Sequence, residues 1–287
     1  MLKIDYDMPE DQYHNDPLGD GIPRLSSSIA ATLVMKSPAH AYAEHPLLGG
    51  QPRDRTDAMT EGGIIDALIF GGKRIVELPY DDFRKKDAQE ERDAAIAAGC
   101  IPVISKKLTA YKECANSMLE SIARFGIDLA SYKRQVSIFW DEIADDDTSV
   151  PCKARLDALS LTTIFDLKKT RSAHPATLAK HIVGYGYDIQ SAAYKSCVRH
   201  ADLIPGKLSF SWIFVEAAPP YAVSIAVPSG ALNEFGKSRW RRAVNLWSQC
   251  VHSKNWPAYQ GITRVELPTW VMDEEMAEAV SEVEDDE

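Results

Sequence analysis

A chain of 287 residues, 45% hydrophobic and 26% charged, has enough apolar material for one large core, which excludes a disordered, fibrous or disulfide-stapled class. No stretch approaches the roughly 18 apolar residues of a membrane span and the N-terminus carries no apolar leader core, so a cytoplasmic protein without membrane contact is expected. The five cysteines (Cys100, Cys114, Cys152, Cys197, Cys250) show no C-x-x-C spacing, which argues for reduced thiols rather than disulfides or a zinc site. Formal charge is −10, but residues 273–287 hold nine acids and no base, and removing them leaves −1. A nearly neutral body can still present a basic groove, because the local field decides phosphate binding. The tail reads as a disordered acidic segment that aids solubility, docks a partner or screens the groove.

In chain order, residues 1–21 are polar and read as an arm without its own core. A helix is expected from Pro23 to Tyr42, with serines as N-caps, and Arg24 and Ser28 at its start form a natural phosphate site. His40 and His45 read as helix-surface residues. After a loop at Pro46 to Asp54, Thr60 to Gly72 reads as a second helix, and Asp66, set between Ile65 and Ala67 in it, needs a partner or a metal. Helices are expected over Asp81–Ala98 and Ser105–Phe125, ended by Gly99 and Gly126, with Lys85, Lys86, Lys106 and Lys107 on solvated faces.

From Arg134 the hydrophobic period changes to alternation, giving a strand over Gln135–Glu142 and two more after the Asp145–Thr148 turn. Helices over His174–Val183 and Asp188–His200 cover the sheet, and Gln190 and Tyr194, four apart, share a face of the second. Strands Leu208–Glu216 and Tyr221–Val227 flank Pro219-Pro220 as an edge hairpin. Gly230–Ser253 is a long helix whose Arg239, Trp240, Arg241, Arg242 and Trp247 either grip nucleic acid or form a packed face with a charged rim. The fold class is therefore α/β: a central mixed sheet flanked by helices, with a helical N-terminal portion.

The chemistry concentrates between Val150 and Ser172. Asp157 closes one strand and Asp166-Leu167-Lys168 closes the next, and side chains two apart on a strand share a face. Asp166 and Lys168 then point together while Leu167 turns into the core, and Asp157 can join them across the pair. Such an oxygen-rich pocket with one ammonium suits a hard divalent cation, and Lys168 is placed to position or deprotonate an attacking water.

This arrangement resembles the PD-(D/E)xK nuclease signature, with Asp157 as first acid and Asp166-x-Lys168 as the remainder. The succession of Val150–Arg171, Gly184–Tyr194, Phe214–Tyr221, Trp256–Tyr259 and Leu267–Trp270 resembles the RecE-like (exonuclease VIII-like) phage and prophage exonucleases over about residues 22–271. The resemblance implies a PD-(D/E)xK core over 22–272, with Gln190 and Tyr194 matching a Q-x-x-x-Y motif near metal and DNA. It implies that Arg24 and Ser28 hold a terminal phosphate, and it leaves Glu216 at a recurring position without an assigned role. Asp66 falls where relatives carry a metal-binding histidine. A metal set of Asp66, Asp157, Asp166 and the Leu167 carbonyl follows, holding Mg²⁺ with Mn²⁺ as a substitute, since aspartate is the harder ligand. The clustered cysteines of iron–sulfur relatives are lacking, so no iron–sulfur cluster is expected.

The expected function is thus a Mg²⁺-dependent DNA exonuclease, with Asp157, Asp166 and Lys168 as its catalytic residues. It would work from the ends of linear duplex DNA and expose single strands for an annealing recombinase. By the same resemblance it is a homo-oligomeric phage or prophage protein in the cytoplasm of a bacterial host. The alternative is a catalytically silent nuclease fold that binds nucleic acid or a partner, favoured by Asp66 and the acidic tail.

Overall fold

The computed structural model describes residues 1–50, 57–71 and 73–265. Within them a six-stranded sheet forms the centre, built from β1 (Lys3–Asp5), β4 (Lys133–Ile143), β5 (Ser149–Leu159), β6 (Thr163–Thr170), β7 (Ser209–Glu216) and β8 (Val223–Ala226), in that order across the sheet. All neighbours are antiparallel except β6 and β7, which pair in parallel with Asp166 beside Trp212. A parallel partner needs a crossover, and α7 (Pro175–Gly184) with α8 (Tyr187–His200) supplies it.

Alternation along β7 divides the core. Phe210, Trp212 and Phe214 face a layer made by α2 (Ser27–Met35), α7, α8 and α9 (Gly230–Ser253). Ile213 and Val215 face α4 (Asp57–Phe70) and α6 (Ser105–Ala123). Both faces of the sheet are thus covered, as the sequence implied.

Several boundaries differ from expectation. The expected first helix is two, α2 and α3 (Pro38–Glu44), because Pro38 cannot continue the hydrogen-bond ladder and Ser37 caps the new start. Residues 81–85 precede α5 (Lys86–Ala97) rather than belonging to it. Two four-residue strands, β2 (Ile75–Leu78) and β3 (Ile101–Ile104), form a separate parallel pair. They are too short to show a period. The first 21 residues are not a coreless arm. They contain edge strand β1 and helix α1 (Glu10–His14), and Met8 and Tyr13 are buried against Phe139. Lys153 Nζ donates to the Tyr13 carbonyl at 2.7 Å and Arg155 to that of Met8 at 2.8 Å, so two cations inside the sheet are neutral-partnered by this segment.

Residues from Pro257 onward form a second unit, of which 257–265 are described and carry no helix or strand. The Leu267–Trp270 motif, the acidic tail and part of the Pro46–Asp54 loop lie outside the described residues. No described helix is long and apolar enough to cross a membrane.

Candidate active site

The site begins where two strands part. β5 and β6 pair only at Ala158↔Phe165 and Leu159↔Ile164, after which the next facing residues are Asp157 and Asp166. Beyond that point β6 pairs with β7, and β5 with β4 and, through Cys152, with Leu25. The fork leaves the Leu167 amide without a β5 carbonyl, and Asp157 Oδ2 accepts it instead at 2.9 Å. On the far side of β5, the register with β4 skips Gln135 opposite Asp157, and Gln135 takes φ 51°, a left-handed conformation uncommon outside glycine. Backbone distortion is therefore concentrated beside the first acid.

Asp166 is 1% exposed, and its Oδ2 lies 2.6 Å from Lys168 Nζ. That oxygen makes no well-directed hydrogen bond, so the contact is an ion pair with a lone pair to spare. Lys168 also lies over the Tyr187 ring, 4.6 Å from its centroid. Gly186, at φ 72°, makes the tight turn between α7 and α8 that sets Tyr187 there, and a Cβ at that position would collide with Ala31. Leu167, as expected, packs into the opposite core layer.

The charges act on one another. Burial, then the Asp166 charge, raise the Asp157 carboxyl above the ordinary range, with Lys168 opposing and Asp66 adding to the rise. Burial likewise raises Asp166, against Lys168. Burial disfavours the Lys168 ammonium, but Asp166 and Asp157 outweigh it and its pKa rises. Asp66 meets solvent, yet protein surrounds it closely enough that desolvation, then Glu10, raise it to about 6, while Lys169 and Lys168 oppose. After burial, the Asp166 charge adds to the rise at both Asp157 and Asp66, a repulsion that a cation would relieve.

Among the described residues, no three His, Cys, Asp or Glu side chains are already gathered as a metal cage. Asp157 is engaged by the Leu167 amide and Asp166 by Lys168. The donor set still fits a hard divalent ion, since Mg²⁺ takes one or two carboxylates and completes its shell with water and phosphate oxygens. The buried Asp166 Oδ2 without a directed hydrogen bond is the specific atom in favour. The Leu167 contact seen is through its amide rather than its carbonyl.

Gln190 donates to the Tyr194 hydroxyl at 3.0 Å, so the two expected partners do meet on α8. Burial and then the charges of Asp166, Tyr13 and Asp157 hold the Tyr194 phenol well above its usual pKa, which sets it beside the acids. Gln190 Oε1 is buried without a partner inside the protein.

Other expected contacts are corrected. Arg24 is 2% exposed, forks onto Asp20 at 2.8 and 2.6 Å and covers Phe139, so its guanidinium is consumed by the fold and not offered to a phosphate. Leu25 bridges to Cys152, five residues before Asp157 on β5, roughly 16 Å back along that strand. Ser28 is exposed, with its hydroxyl on Ser26 at 3.0 Å. His45 is not a surface residue but 1% exposed, its Nε2 on the Arg24 carbonyl at 3.1 Å. The tryptophans and arginines of α9 form a packed face with a charged rim: Trp240 and Trp247 are buried, Arg239 holds Asp188, Arg241 on the exposed side holds Asp145, and Arg242 is exposed. Glu216 Oε1 accepts the Ala173 amide at 2.9 Å, tying the loop after β6 to β7. Sequence reasoning missed Tyr187 as the ring over Lys168. Its signal was present in Gly184-Tyr-Gly-Tyr, but no pattern links it to a lysine nineteen residues earlier.

A forked sheet with two aspartates and a lysine on adjoining strands, covered by helices on both faces, defines the PD-(D/E)xK nuclease fold. The chain belongs to the family described as a PDDEXK-like domain of unknown function (DUF3799), matched over residues 26–266. Its fold is similar to that of a candidate exonuclease from Eubacterium rectale, at 15% identity and TM-score 0.54, covering 94% of this chain and 96% of that one. A phage-related exonuclease from Haemophilus somnus 129PT is more distant, at 12% identity and TM-score 0.33 over 81% of this chain and 97% of that one. Among curated proteins none matches.

Proposed function

We propose that this protein is a metal-dependent deoxyribonuclease that hydrolyses phosphodiester bonds from the ends of linear duplex DNA, in the manner of the RecE-like exonucleases. The observation that carries the reading is the fork between β5 and β6, where Asp157 and Asp166 face each other with Lys168 on the same side. Asp157, Asp166 and Asp66 would hold Mg²⁺, or Mn²⁺ in its place, and the Leu167 carbonyl is the remaining candidate. A bound divalent ion supplies Lewis acidity toward the scissile phosphate and a more acidic water.

This chain's own residues do the rest. Lys168, kept charged by its two carboxylate neighbours, orients the attacking water and offsets negative charge as it develops on the phosphate; a strongly held ammonium is a poor general base. Tyr187 restricts its side chain by lying against it. Gln190, whose carbonyl oxygen lacks a partner, and Tyr194 line the approach of the DNA strand, and Ser28 is the hydroxyl left to meet a terminal phosphate. The product strand would be exposed for an annealing recombinase. A homo-oligomer in the cytoplasm of a bacterial host, of phage or prophage origin, accords with that role.

The deciding experiment is digestion of linear duplex DNA labelled separately at its 5′ and 3′ ends, in Mg²⁺, Mn²⁺ or EDTA. Closed circular DNA and the Lys168→Ala variant run beside it. Metal-dependent loss of linear but not circular DNA, absent in the variant, is expected. The order of label release gives the polarity. Absence of cleavage in every metal sinks the reading and leaves the catalytically silent fold.

A further inference from the structure

A different face of α8 from the one bearing Gln190 and Tyr194 borders a cavity of about 190 Å³, enclosed by α8, β7 and the start of α9. Two of its lining residues carry buried polar groups without a partner inside the protein. They are the Ser191 hydroxyl, on a residue 3% exposed, and the indole N–H of Trp212, which is 0% exposed. A buried donor left unsatisfied costs about 1–3 kcal/mol, so this wall is polar rather than shaped for an apolar guest.

The charges around the cavity say which kind. Lys195, 8% exposed, reaches it with Nζ on Asn233 Oδ1, and Arg199 and Lys237 stand at its rim. The two acids on the lining are already engaged, Asp188 by Arg239 at 2.9 Å and Glu234 by Lys237 at 2.6 Å. Among the described residues neither Lys195 nor Arg199 has a carboxylate partner. Gly230 opens the 24-residue α9 at this wall, and the first-turn amides of a helix carry partial positive charge. Burial, followed by Arg199 and Lys237, lowers the Lys195 ammonium to about 8.

We propose that this cavity is a binding site for a phosphate group. A buried ammonium on α8 and the N-terminal end of α9 border one cavity with two further cations at its rim, which suits a compact, multiply charged anion. The volume is below the roughly 300 Å³ of sites that enclose whole drug-sized ligands, so it takes the phosphate alone or the phosphate end of a molecule whose remainder passes Arg199 and Lys237. Free phosphate and a mononucleotide share this chemistry. The proposal does not rest on the nuclease reading, although Trp212 in the lining neighbours Asp166 across the β6–β7 pair.

The test is calorimetric titration of the full chain, in EDTA, with inorganic phosphate and separately with deoxyadenosine monophosphate. The Lys195→Met, Lys237→Gln and Asp166→Asn variants are titrated in parallel. Saturable one-to-one binding is expected, at least roughly ten-fold weaker in Lys195→Met, measurably weaker in Lys237→Gln and unchanged in Asp166→Asn. A mononucleotide that binds more tightly than phosphate identifies the ester end as the ligand, and equal affinity identifies the free ion. Lys237 is exposed, so its variant keeps the test decisive if Lys195→Met fails to fold. Binding that survives both lysine changes, binding lost in Asp166→Asn, or no saturable binding of either probe overturns the proposal.

Discussion

Position 66 is where a single substitution tests the proposed metal set. An aspartate there stands within electrostatic reach of Lys168 and Asp166, and burial, then Glu10, raise it to about 6. Asp66→Ala is expected to lower the cleavage rate about 10–100-fold, the range found when a metal site loses one supporting group. Asp66→His should retain activity and move the preference from Mg²⁺ toward Mn²⁺, read as the ratio of rates in the two metals. Equal ratios in the histidine variant and the parent would remove Asp66 from the metal set. His45 gives a prediction about stability. The Leu47 amide donates to its Nδ1 at 3.2 Å, so Nε2 carries the proton given to the Arg24 carbonyl, and the ring is neutral. Burial lowers its pKa to about 4, below the usual value near 6.5. The unfolded chain therefore takes up this proton first as pH falls. Stability from this group is complete above about pH 6.5 and declines by on the order of 3 kcal/mol down to pH 4. Chemical denaturation across that window should show the slope, and His45→Gln should flatten it.

Between elements, the contact of α8 with α9 leaves little room for change. Gly236 lies so close to α8 that an added Cβ would overlap the Asp188 carbonyl, and backbone cannot move aside as a side chain can. Gly236→Ala should cost about 1–3 kcal/mol in spite of alanine's better helix propensity. Beside it, Arg239 Nη1 donates to both oxygens of the buried Asp188, at 2.9 and 3.0 Å. Arg239→Met leaves that carboxylate without its partner and should cost about 3–5 kcal/mol, while adding Asp188→Asn should recover part of the loss. Both are measured by urea unfolding. A double variant no more stable than Arg239→Met would show that the cost came from lost packing rather than from a stranded charge.

For the molecule as a whole, the N-terminal segment is the outlying piece on which much depends. Deleting residues 1–14 removes an edge strand, Met8 and Tyr13 from the core, and the carbonyl partners of Lys153 and Arg155. Thermal unfolding should fall by several degrees or more, since about 1 kcal/mol lowers the midpoint of a chain this size by about 2–4 °C. A truncated chain with unchanged midpoint would show the segment to be dispensable.

What could be read from residue order was whatever a short-range pattern encodes. Alternation in β4 to β7, helical periods in α6 to α9 and the D-x-K triplet are all local, so the layered α/β architecture and the convergence of Asp166 with Lys168 were legible. The unread part depends on residues far apart in the chain. Arg24 looked like a phosphate ligand until Asp20 and Phe139 closed on it, and the α9 helix fitted a nucleic-acid grip and a packed face equally until Asp188 and Asp145 took Arg239 and Arg241. The fork itself is set by where β5 leaves β6, which no pattern within either strand records. Sequence alone determined which groups were available, because residue type and period are local properties. Only the tertiary structure decided which of them remain free for chemistry, because pairing and burial are settled by long-range packing.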